Sequence, residues 1–402
     1  MNLWLECIRC GRKYPWDGVI YTCRECGALL DVKYDFEEAP RVELGKGSLS
    51  VWRYEAFLPR VREKVSLNEG GTSLYSCKRL AKRLGMRELW VKNEGENPTG
   101  SFKDRGMTVG VSIAKTLGKR VVACASTGNT SASLAAYAAR AEMKCIVMIP
   151  SGKIAFGKLA QAMMYGCLVL AVKGNFDDAL KLVQESCERF GLYLLNSLNP
   201  YRLEGQKTIG FEIIEQLGVT PDVIVLPVGN AGNISAIYKG LTEWEELGII
   251  GGKPRMIGIQ SEGAAPIVEA VRKKSREVRF VEKPETVATA IRIGTPVNWE
   301  KALRAIYGSD GTAESVTDAQ ILAAQKLLAR TEGIFVEPAS AASIAGLIKL
   351  LEEGVIDKDE RVVCVTTGHG LKDPDIAVKT CEKPLEVEAR IEEIEKTLNS
   401  ML

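Results

Sequence analysis

The stretch Asp222-Val223-Ile224-Val225-Leu226-Pro227-Val228-Gly229-Asn230-Ala231-Gly232-Asn233-Ile234 joins an apolar strand to a helix through a loop of glycine and asparagine. Similar apolar runs recur along the chain with helical patterns between them, which is typical of parallel sheets covered by helices. About eight such strands over roughly 300 residues favour two α/β lobes with a cleft between them. The predicted strands are Leu89–Asn93, Arg120–Ala125, Cys145–Pro150, Leu168–Val172, Leu192–Asn196, Asp222–Val228, Met256–Gln260 and Arg361–Thr366. The predicted helices include Phe102–Leu117, Ser131–Ala141 and Asp177–Phe190.

Composition excludes several classes of function. The chain has 402 residues, and its 53 Lys and Arg against 51 Asp and Glu leave a formal charge of +2. This balance lacks the basic surface that nucleic-acid binding requires, so no nucleic-acid partner is expected. The single histidine, His369, excludes a metal centre with several histidines, and any Ser-His-Asp or Cys-His site would have to use it. Proton transfer is therefore expected to depend on lysine, a carboxylate or a cofactor.

Four segments are predicted. Residues 1–34 form a cysteine module, 35–67 a connecting segment with a short helix, 68–381 the catalytic region, and 382–402 an amphipathic helix. Apolar residues at helical spacing in the last segment favour packing on the parent domain, with pairing between subunits as the alternative. The start of the chain lacks a signal-peptide pattern, and polar residues interrupt the longest uncharged run, Val121–Ala139. We therefore expect a soluble cytoplasmic protein with no membrane partner.

The first segment carries two pairs of cysteines, Cys7 with Cys10 and Cys23 with Cys26, and a glycine follows each pair. Two thiolates separated by two residues can bind one tetrahedral ion, so the pattern predicts a zinc ribbon with a structural metal. A ribbon that packs without metal is the alternative. The other seven of the eleven cysteines are scattered, which indicates buried thiols in a reducing compartment.

Two further loops link strands to helices. Ser126-Thr127-Gly128-Asn129-Thr130 offers hydroxyls and amides that suit a carboxylate, although it could equally be a helix cap. Asn97-Pro98-Thr99-Gly100-Ser101-Phe102-Lys103-Asp104-Arg105 places a lysine at a helix start, where the helix dipole disfavours its charged form. A neutral lysine amine is a nucleophile for an aldehyde. Combined with the glycine loop at 229–233, which suits a phosphate, these loops predict pyridoxal phosphate acting on an amino acid.

Five motifs together resemble the threonine synthases, a family in the tryptophan synthase β-like, fold-type II group of pyridoxal-phosphate enzymes. They lie at residues 97–105, 126–130, 227–233, 288–294 and 367–374. The resemblance covers residues 68 to about 380 and implies a two-lobed fold with parallel-rich sheets and helices on both faces. The cysteine module resembles the one found on some prokaryotic threonine synthases.

The resemblance implies a role for each matching residue. Lys103 would be the catalytic residue and would hold the cofactor covalently, with Phe102 beside it. Asn129 would bond the cofactor's 3′-oxygen and Thr367 its ring nitrogen, while the cofactor phosphate would lie against Gly229, Asn230, Ala231, Gly232 and Asn233. Contacts to the substrate's carboxylate end and phosphate would come from Ser126, Thr127, Thr130, Asn196, Ser197, Arg202 and Asn230. His369 would shape the cofactor pocket.

The implied reaction is a β,γ-replacement in which O-phospho-L-homoserine and water give L-threonine and phosphate. The implied enzyme is a lyase of threonine biosynthesis, and the structural group is commonly dimeric, so a homodimer is expected. A cysteate synthase-like enzyme that acts on O-phosphoserine is the alternative within the fold. An adaptor built from a zinc ribbon on an inactive enzyme scaffold is the alternative from a different class.

Overall fold

The computed structural model describes residues 2–36, 44–45, 47–151, 156–381 and 384–401. Parts of the predicted connecting segment and of the predicted C-terminal segment, at 37–43, 46, 382–383 and 402, lie outside the described residues. No helix in the described part of the chain is long and apolar enough to cross a bilayer.

The N-terminal module is a small antiparallel sheet. It consists of β1 (Asn2–Cys7), β2 (Lys13–Pro15) and β3 (Leu30–Asp35), in the order β2-β1-β3. The connecting segment then forms a short 3₁₀ helix, Val51–Phe57, which buries Tyr54 and Phe57 beside Trp244. The short helix predicted for this segment is therefore present.

The catalytic region alternates strands with helices. It begins with β4 (Leu74–Ser76), α1 (Lys78–Leu84), β5 (Glu88–Asn93) and α2 (Lys103–Thr116). It continues with β6 (Val121–Ala125), α3 (Asn129–Arg140), β7 (Lys144–Pro150), α4 (Phe156–Met164), β8 (Leu168–Val172), α5 (Phe176–Phe190), β9 (Tyr193–Leu194) and α6 (Tyr201–Leu217). It ends with β10 (Val223–Pro227), α7 (Gly232–Glu246), β11 (Arg255–Ser261), α8 (Pro266–Arg272), α9 (Trp299–Tyr307), β12 (Thr312–Val316), α10 (Asp318–Glu332), α11 (Pro338–Glu352), β13 (Arg361–Thr366), α12 (Pro374–Thr380) and α13 (Ile391–Met401).

These strands form two sheets, which confirms the predicted pair of α/β lobes. The large lobe has the strand order β12-β11-β10-β13-β5-β4, parallel except for the edge strand β4. The small lobe has the order β8-β7-β6-β9 and is parallel throughout. Because β5 and β10 belong to the large sheet, the small lobe is an excursion of the chain that leaves through α2 and returns through α6.

Several elements differ from the sequence prediction. The strand at β9 is shorter than predicted because the side chain of Asn196 bonds the backbone of Ala125 at the point where the ladder would continue. Strand β12 is absent from the sequence prediction because the charged Glu314 interrupts its apolar pattern. The last helix begins at Ile391, and its apolar side chains at Ile391 and Leu398 are 67% and 51% exposed, so the packing predicted for this face is not seen in the described residues.

The two helices that link the lobes pack closely. At Gly205 in α6, an added Cβ would lie 1.7 Å from the backbone oxygen of Arg105 in α2, so only glycine permits this approach. The fully buried Arg105 guanidinium bonds Glu94 and Glu212 at 2.6–2.7 Å, and Lys92 bonds Glu212 at 2.7 Å. Removing one partner of such a buried pair costs about 3–5 kcal/mol, so the crossing of α2 and α6 is fixed by both sterics and charge.

Candidate active site

The backbone around Lys103 is held against the loop that follows β13. Ser101 and Gly368 form a β-bridge, the Phe102 amide donates to the Thr367 oxygen at 3.0 Å, and the His369 amide donates to the Gly100 oxygen at 2.9 Å. These bonds fix the first residue of α2, Lys103, next to Thr367. The predicted catalytic lysine and the predicted partner of the cofactor ring nitrogen therefore lie at one site.

Lys103 has an unusual protonation equilibrium. Its half-buried amine lies 3.9 Å from the centre of the Phe102 ring. Desolvation and the nearby Arg202 cation lower the pKa of Lys103 to about 7, and the Glu337 carboxylate acts in the opposite direction. Near neutral pH a large fraction of this amine is uncharged, which is the state required of a nucleophile or a base.

Arg202, the second residue of α6, is 2% exposed. Its side chain has room because α2 carries glycine at both facing positions, and a Cβ on Gly106 or Gly110 would lie 3.3–3.5 Å from the arginine stem. Burial lowers the pKa of Arg202 to about 10, so it stays charged at neutral pH. Among the described residues, no hydrogen-bond partner meets the buried Nε of Arg202. A buried cation with an unused donor suits a bound anion.

The loop at 229–233 is a second place for an anion. Ala231 has φ of +64°, an unusual value for a residue with a side chain, and α7 begins directly after it with free backbone amides. An added Cβ on Gly229 would lie 3.1 Å from the oxygen of Ala290 and the Cα of Ile291, so the loop is tightly packed from behind. Within the described residues, both polar atoms of the buried Asn233 amide lack a partner. These features fit a phosphate group held by main-chain amides.

Asn129 and Thr367, the predicted partners of the cofactor ring, each have a neighbour that orients them. The Asn129 Nδ2 donates to both oxygens of Glu337 at 3.1–3.2 Å. The Thr367 hydroxyl lies 3.0 Å from the hydroxyl of Ser340, which also accepts the backbone amides of Thr367 and Gly368 at 2.8 Å. The amide nitrogen of Asn129 keeps one hydrogen for a further acceptor.

The predicted substrate contacts occupy two segments. Ser126 and Thr127 lie half-buried in the loop between β6 and α3, where the Gly128 amide donates to the Ser126 hydroxyl at 3.2 Å, and Thr130 lies half-buried in the first turn of α3. Asn196 bonds both polar groups of the Ala125 backbone at 2.9–3.0 Å and so ties this loop to the segment before α6. The carbonyl of Ser197 accepts a bond from Asn298 at 3.2 Å. A contact of each of these residues with substrate remains a prediction.

Several residues at the site were not predicted from the sequence. Glu337 and Ser340 begin α11, and Gln206 lies one turn after Arg202 with its buried Oε1 lacking a partner among the described residues. The sequence signal for Glu337 is its place just before Pro338, because proline favours the first turn of a helix. His369, by contrast, accepts the Leu371 amide at Nδ1 and lies against Phe335, which agrees with a structural role.

The four cysteines of the N-terminal module converge. Their sulfur atoms all lie within 4.8 Å of one another, and three pairs are 3.5–3.7 Å apart. Sulfurs that bind one tetrahedral zinc at about 2.3 Å are about 3.8 Å apart. The Cys7 sulfur also accepts the amides of Arg9 and Cys10 at 3.4 Å, as a metal-bound thiolate does. The arrangement is compatible with a metal site.

Comparison with known proteins agrees with this geometry. Residues 65–368 match the family described as pyridoxal-phosphate dependent enzyme. The chain is 61% identical to a threonine synthase of Methanocaldococcus jannaschii over 98% of this chain and 99% of that protein. It is 53% identical to a threonine synthase of Halalkalibacterium halodurans over 83% and 94% of the two chains. Its fold resembles threonine deaminase isoform 2 of Solanum lycopersicum, with a TM-score of 0.68 and 21% identity over 85% and 98% of the chains.

Proposed function

We infer that this chain, which belongs to the pyridoxal-phosphate-dependent enzyme family, functions as a threonine synthase that converts O-phospho-L-homoserine and water to L-threonine and phosphate. Its similarity to threonine synthases over nearly the whole chain supports this function. One structural observation carries the choice of substrate class. A lysine amine with a pKa of about 7 lies within electrostatic range of the buried Arg202, and the loop at 229–233 provides a second anion site.

The residues at the site fit pyridoxal phosphate. When bound, the cofactor supplies an electron sink that stabilises negative charge on substrate carbon. We propose that Lys103 holds it covalently, that Gly229, Asn230, Ala231, Gly232 and Asn233 bind its phosphate, and that Phe102 lies beside it. Asn129 would then donate its remaining amide hydrogen to the 3′-oxygen, and the Thr367 hydroxyl would meet the ring nitrogen. The unused polar atoms of Asn233 and the glycine at 229 support the phosphate assignment.

The chain's own residues would direct the reaction. In its neutral form, the Lys103 amine would take protons from the substrate carbons and later return protons to them. A pKa near 7 suits both directions of transfer at neutral pH. Arg202 would bind the phosphate that leaves from Cγ and stabilise its charge in a buried setting. Ser126, Thr127 and Thr130 would orient the carboxylate end, while Asn196, Ser197 and Asn230 would complete the phosphate contacts.

The remaining expectations are also proposals. A homodimer is supported by exposed apolar side chains on one edge of the small lobe, where Met164 and Leu168 are 89% and 56% exposed. A cytoplasmic location is supported by eleven cysteines without a disulfide. Zinc as the metal at the four cysteines is supported by their number and spacing. Near-neutral charge supports the absence of a nucleic-acid partner.

The test is phosphate release from the purified holoenzyme. O-phosphohomoserine should yield equal amounts of phosphate and threonine, whereas O-phosphoserine, with or without sulfite, should yield neither phosphate nor cysteate. Lys103→Ala should abolish turnover and the visible absorbance of the bound cofactor. Lys115→Ala, on the exposed face of the same helix where Lys115 pairs with Glu63, is the matched control and should retain both.

Two results would overturn the proposal. Release from O-phosphoserine alone would favour the cysteate synthase-like alternative. A protein that remains colourless after addition of pyridoxal phosphate would favour the adaptor.

A further inference from the structure

The N-terminal cysteine module contacts the chain that leads into Arg202. We call residues 194–202 the phosphate segment. At its start, the Leu194 amide donates to the Tyr21 hydroxyl at 2.8 Å. At its end, the Tyr201 hydroxyl donates to the Trp16 carbonyl. Both bonds link residues 16–21 of the module to the segment, and Tyr201, itself 2% exposed, immediately precedes Arg202.

A buried charge cluster makes a second connection to the same helix. Tyr34 in β3 donates to Glu204 at 2.6 Å, and Glu204 is also bonded by Lys207 and Lys239 at 2.6 Å. Glu204 is fully buried and lies two residues after Arg202 in the first turn of α6. The module therefore holds the start of α6 from both its loop and its last strand.

Helix α9 makes a third connection. Lys301 bonds the Leu30 carbonyl at 2.8 Å and pairs with Asp31 at 2.5 Å, so the module is attached to α9. At the start of that helix, Asn298 donates its side chain to the Ser197 carbonyl at 3.2 Å and its backbone amide to the Asn230 carbonyl at 3.0 Å. One rigid element thus joins the module to the phosphate segment and to the glycine loop.

Arg202 depends on such support. No described residue accepts a bond from its Nε, so its position follows from its backbone and from the packing of its stem against α2. A cation that binds a leaving group must be held close to its productive position, because small displacements are costly to catalysis. An appendage that served only to stabilise the body could attach anywhere on its surface. The module instead bonds both ends of the segment that leads into Arg202.

We propose that the cysteine module is part of the substrate-phosphate site, with Tyr21 and Tyr201 as positioning residues that fix Arg202. The inference rests on the proposed function, because it assigns the anion at Arg202 to the substrate. It gives the module a role in phosphate recognition in addition to any contribution to stability.

The test compares Tyr21→Phe and Tyr201→Phe with a matched control, Tyr238→Phe, whose hydroxyl bonds the Gly308 carbonyl on the large lobe. In the holoenzyme, each of the first two variants should raise the KM for O-phosphohomoserine by about three- to tenfold, the range expected for one lost hydrogen bond. The inhibition constant of inorganic phosphate should rise by a similar factor, with a smaller change in kcat. Hydrogen exchange at the Leu194 amide should be faster in Tyr21→Phe, and the control should match the unmodified enzyme.

Faster exchange at Leu194 with unchanged KM and unchanged phosphate inhibition would show a purely structural module and would overturn the inference. If one variant fails to fold, the other decides, because the two hydroxyls act at opposite ends of the segment. Failure of the proposed function is distinguishable, since the unmodified enzyme would then release no phosphate from O-phosphohomoserine. Calorimetric binding of inorganic phosphate to the same variants would still report on the module in that case.

Discussion

The pKa of Lys103 leads to a quantitative prediction about how the cofactor attaches. Only an uncharged amine can attack the aldehyde of pyridoxal phosphate, so the attachment rate should follow the neutral fraction of Lys103. With a pKa of about 7, about 90% of the amine is neutral at pH 8; with the ordinary 10.5, about 0.3% would be. The buried site therefore predicts a rate that is about 300-fold faster at pH 8 than that of an ordinary lysine.

The informative perturbation is Arg202→Met, which keeps much of the buried stem and removes the cation that lowers the pKa. Loss of a nearby like charge should raise the pKa of Lys103 by about one unit. At pH 7 the neutral fraction would then fall from about a half to about a tenth, a fivefold slower attachment. Arg330→Met, which removes an exposed arginine on α10, is the control and should leave the rate unchanged.

The assay is stopped-flow absorbance after mixing cofactor-free protein with pyridoxal phosphate between pH 5.5 and 10. The rate should rise tenfold per pH unit below pH 7 and level off above it. A cofactor analogue without the aldehyde, 4′-deoxypyridoxine phosphate, should bind without this steep dependence. A midpoint near 10 in the unmodified protein, or a midpoint that does not move in Arg202→Met, would refute the electrostatic account of Lys103.

Three further predictions concern stability. Glu212→Gln should lower the free energy of unfolding by about 3–5 kcal/mol in urea, because it leaves Arg105 short of a buried partner, and a variant as stable as the parent at pH 7 would contradict this expectation. Arg105 also helps to hold the pKa of Glu212 at about 2 despite burial. The unmodified protein should therefore lose the stability contributed by ionised Glu212 as pH falls from 4.5 toward 2. Gly205→Ala should lower the thermal midpoint sharply because its Cβ would meet the Arg105 oxygen, whereas Gly251→Ala, with open space around it, should not. Cys23→Ser should reduce bound zinc in metal analysis and lower the thermal midpoint, and full retention of metal would exclude this residue as a ligand.

Much of the fold could be predicted from the sequence, because buried parallel strands form apolar runs that are visible without any partner. The strands Leu168–Val172 and Arg361–Thr366 have the bounds that the sequence predicted. Element β12 could not be predicted in the same way, since Glu314 pairs with Lys349 from a neighbouring helix and so tolerates a charge inside the strand. The order of strands in each sheet could not be predicted from the sequence either, because it depends on contacts between distant segments.

The candidate site likewise contains residues that the sequence predicts and residues that only the fold brings together. Lys103 and the glycine loop are recognisable because each involves a local sequence rule: a lysine is unfavourable at a helix start, and glycines between an apolar strand and a helix suit an anion. Glu337 breaks no such rule, and its importance arises only because folding brings it to Asn129, more than 200 residues away in the chain. The link between Tyr21 and the phosphate segment is equally non-local.

The crossing of α2 and α6 has a consequence for selectivity. Lys103 is the first residue of α2 and Arg202 is the second residue of α6, and Gly205 and the Arg105 cluster hold the two helices together. The close crossing of the two helices therefore fixes the spacing between the Lys103 amine and the Arg202 cation. A fixed spacing favours substrates with one particular number of carbons between the reacting carbon and the leaving group. We therefore expect that a change in the accepted chain length requires a shift of one helix axis relative to the other.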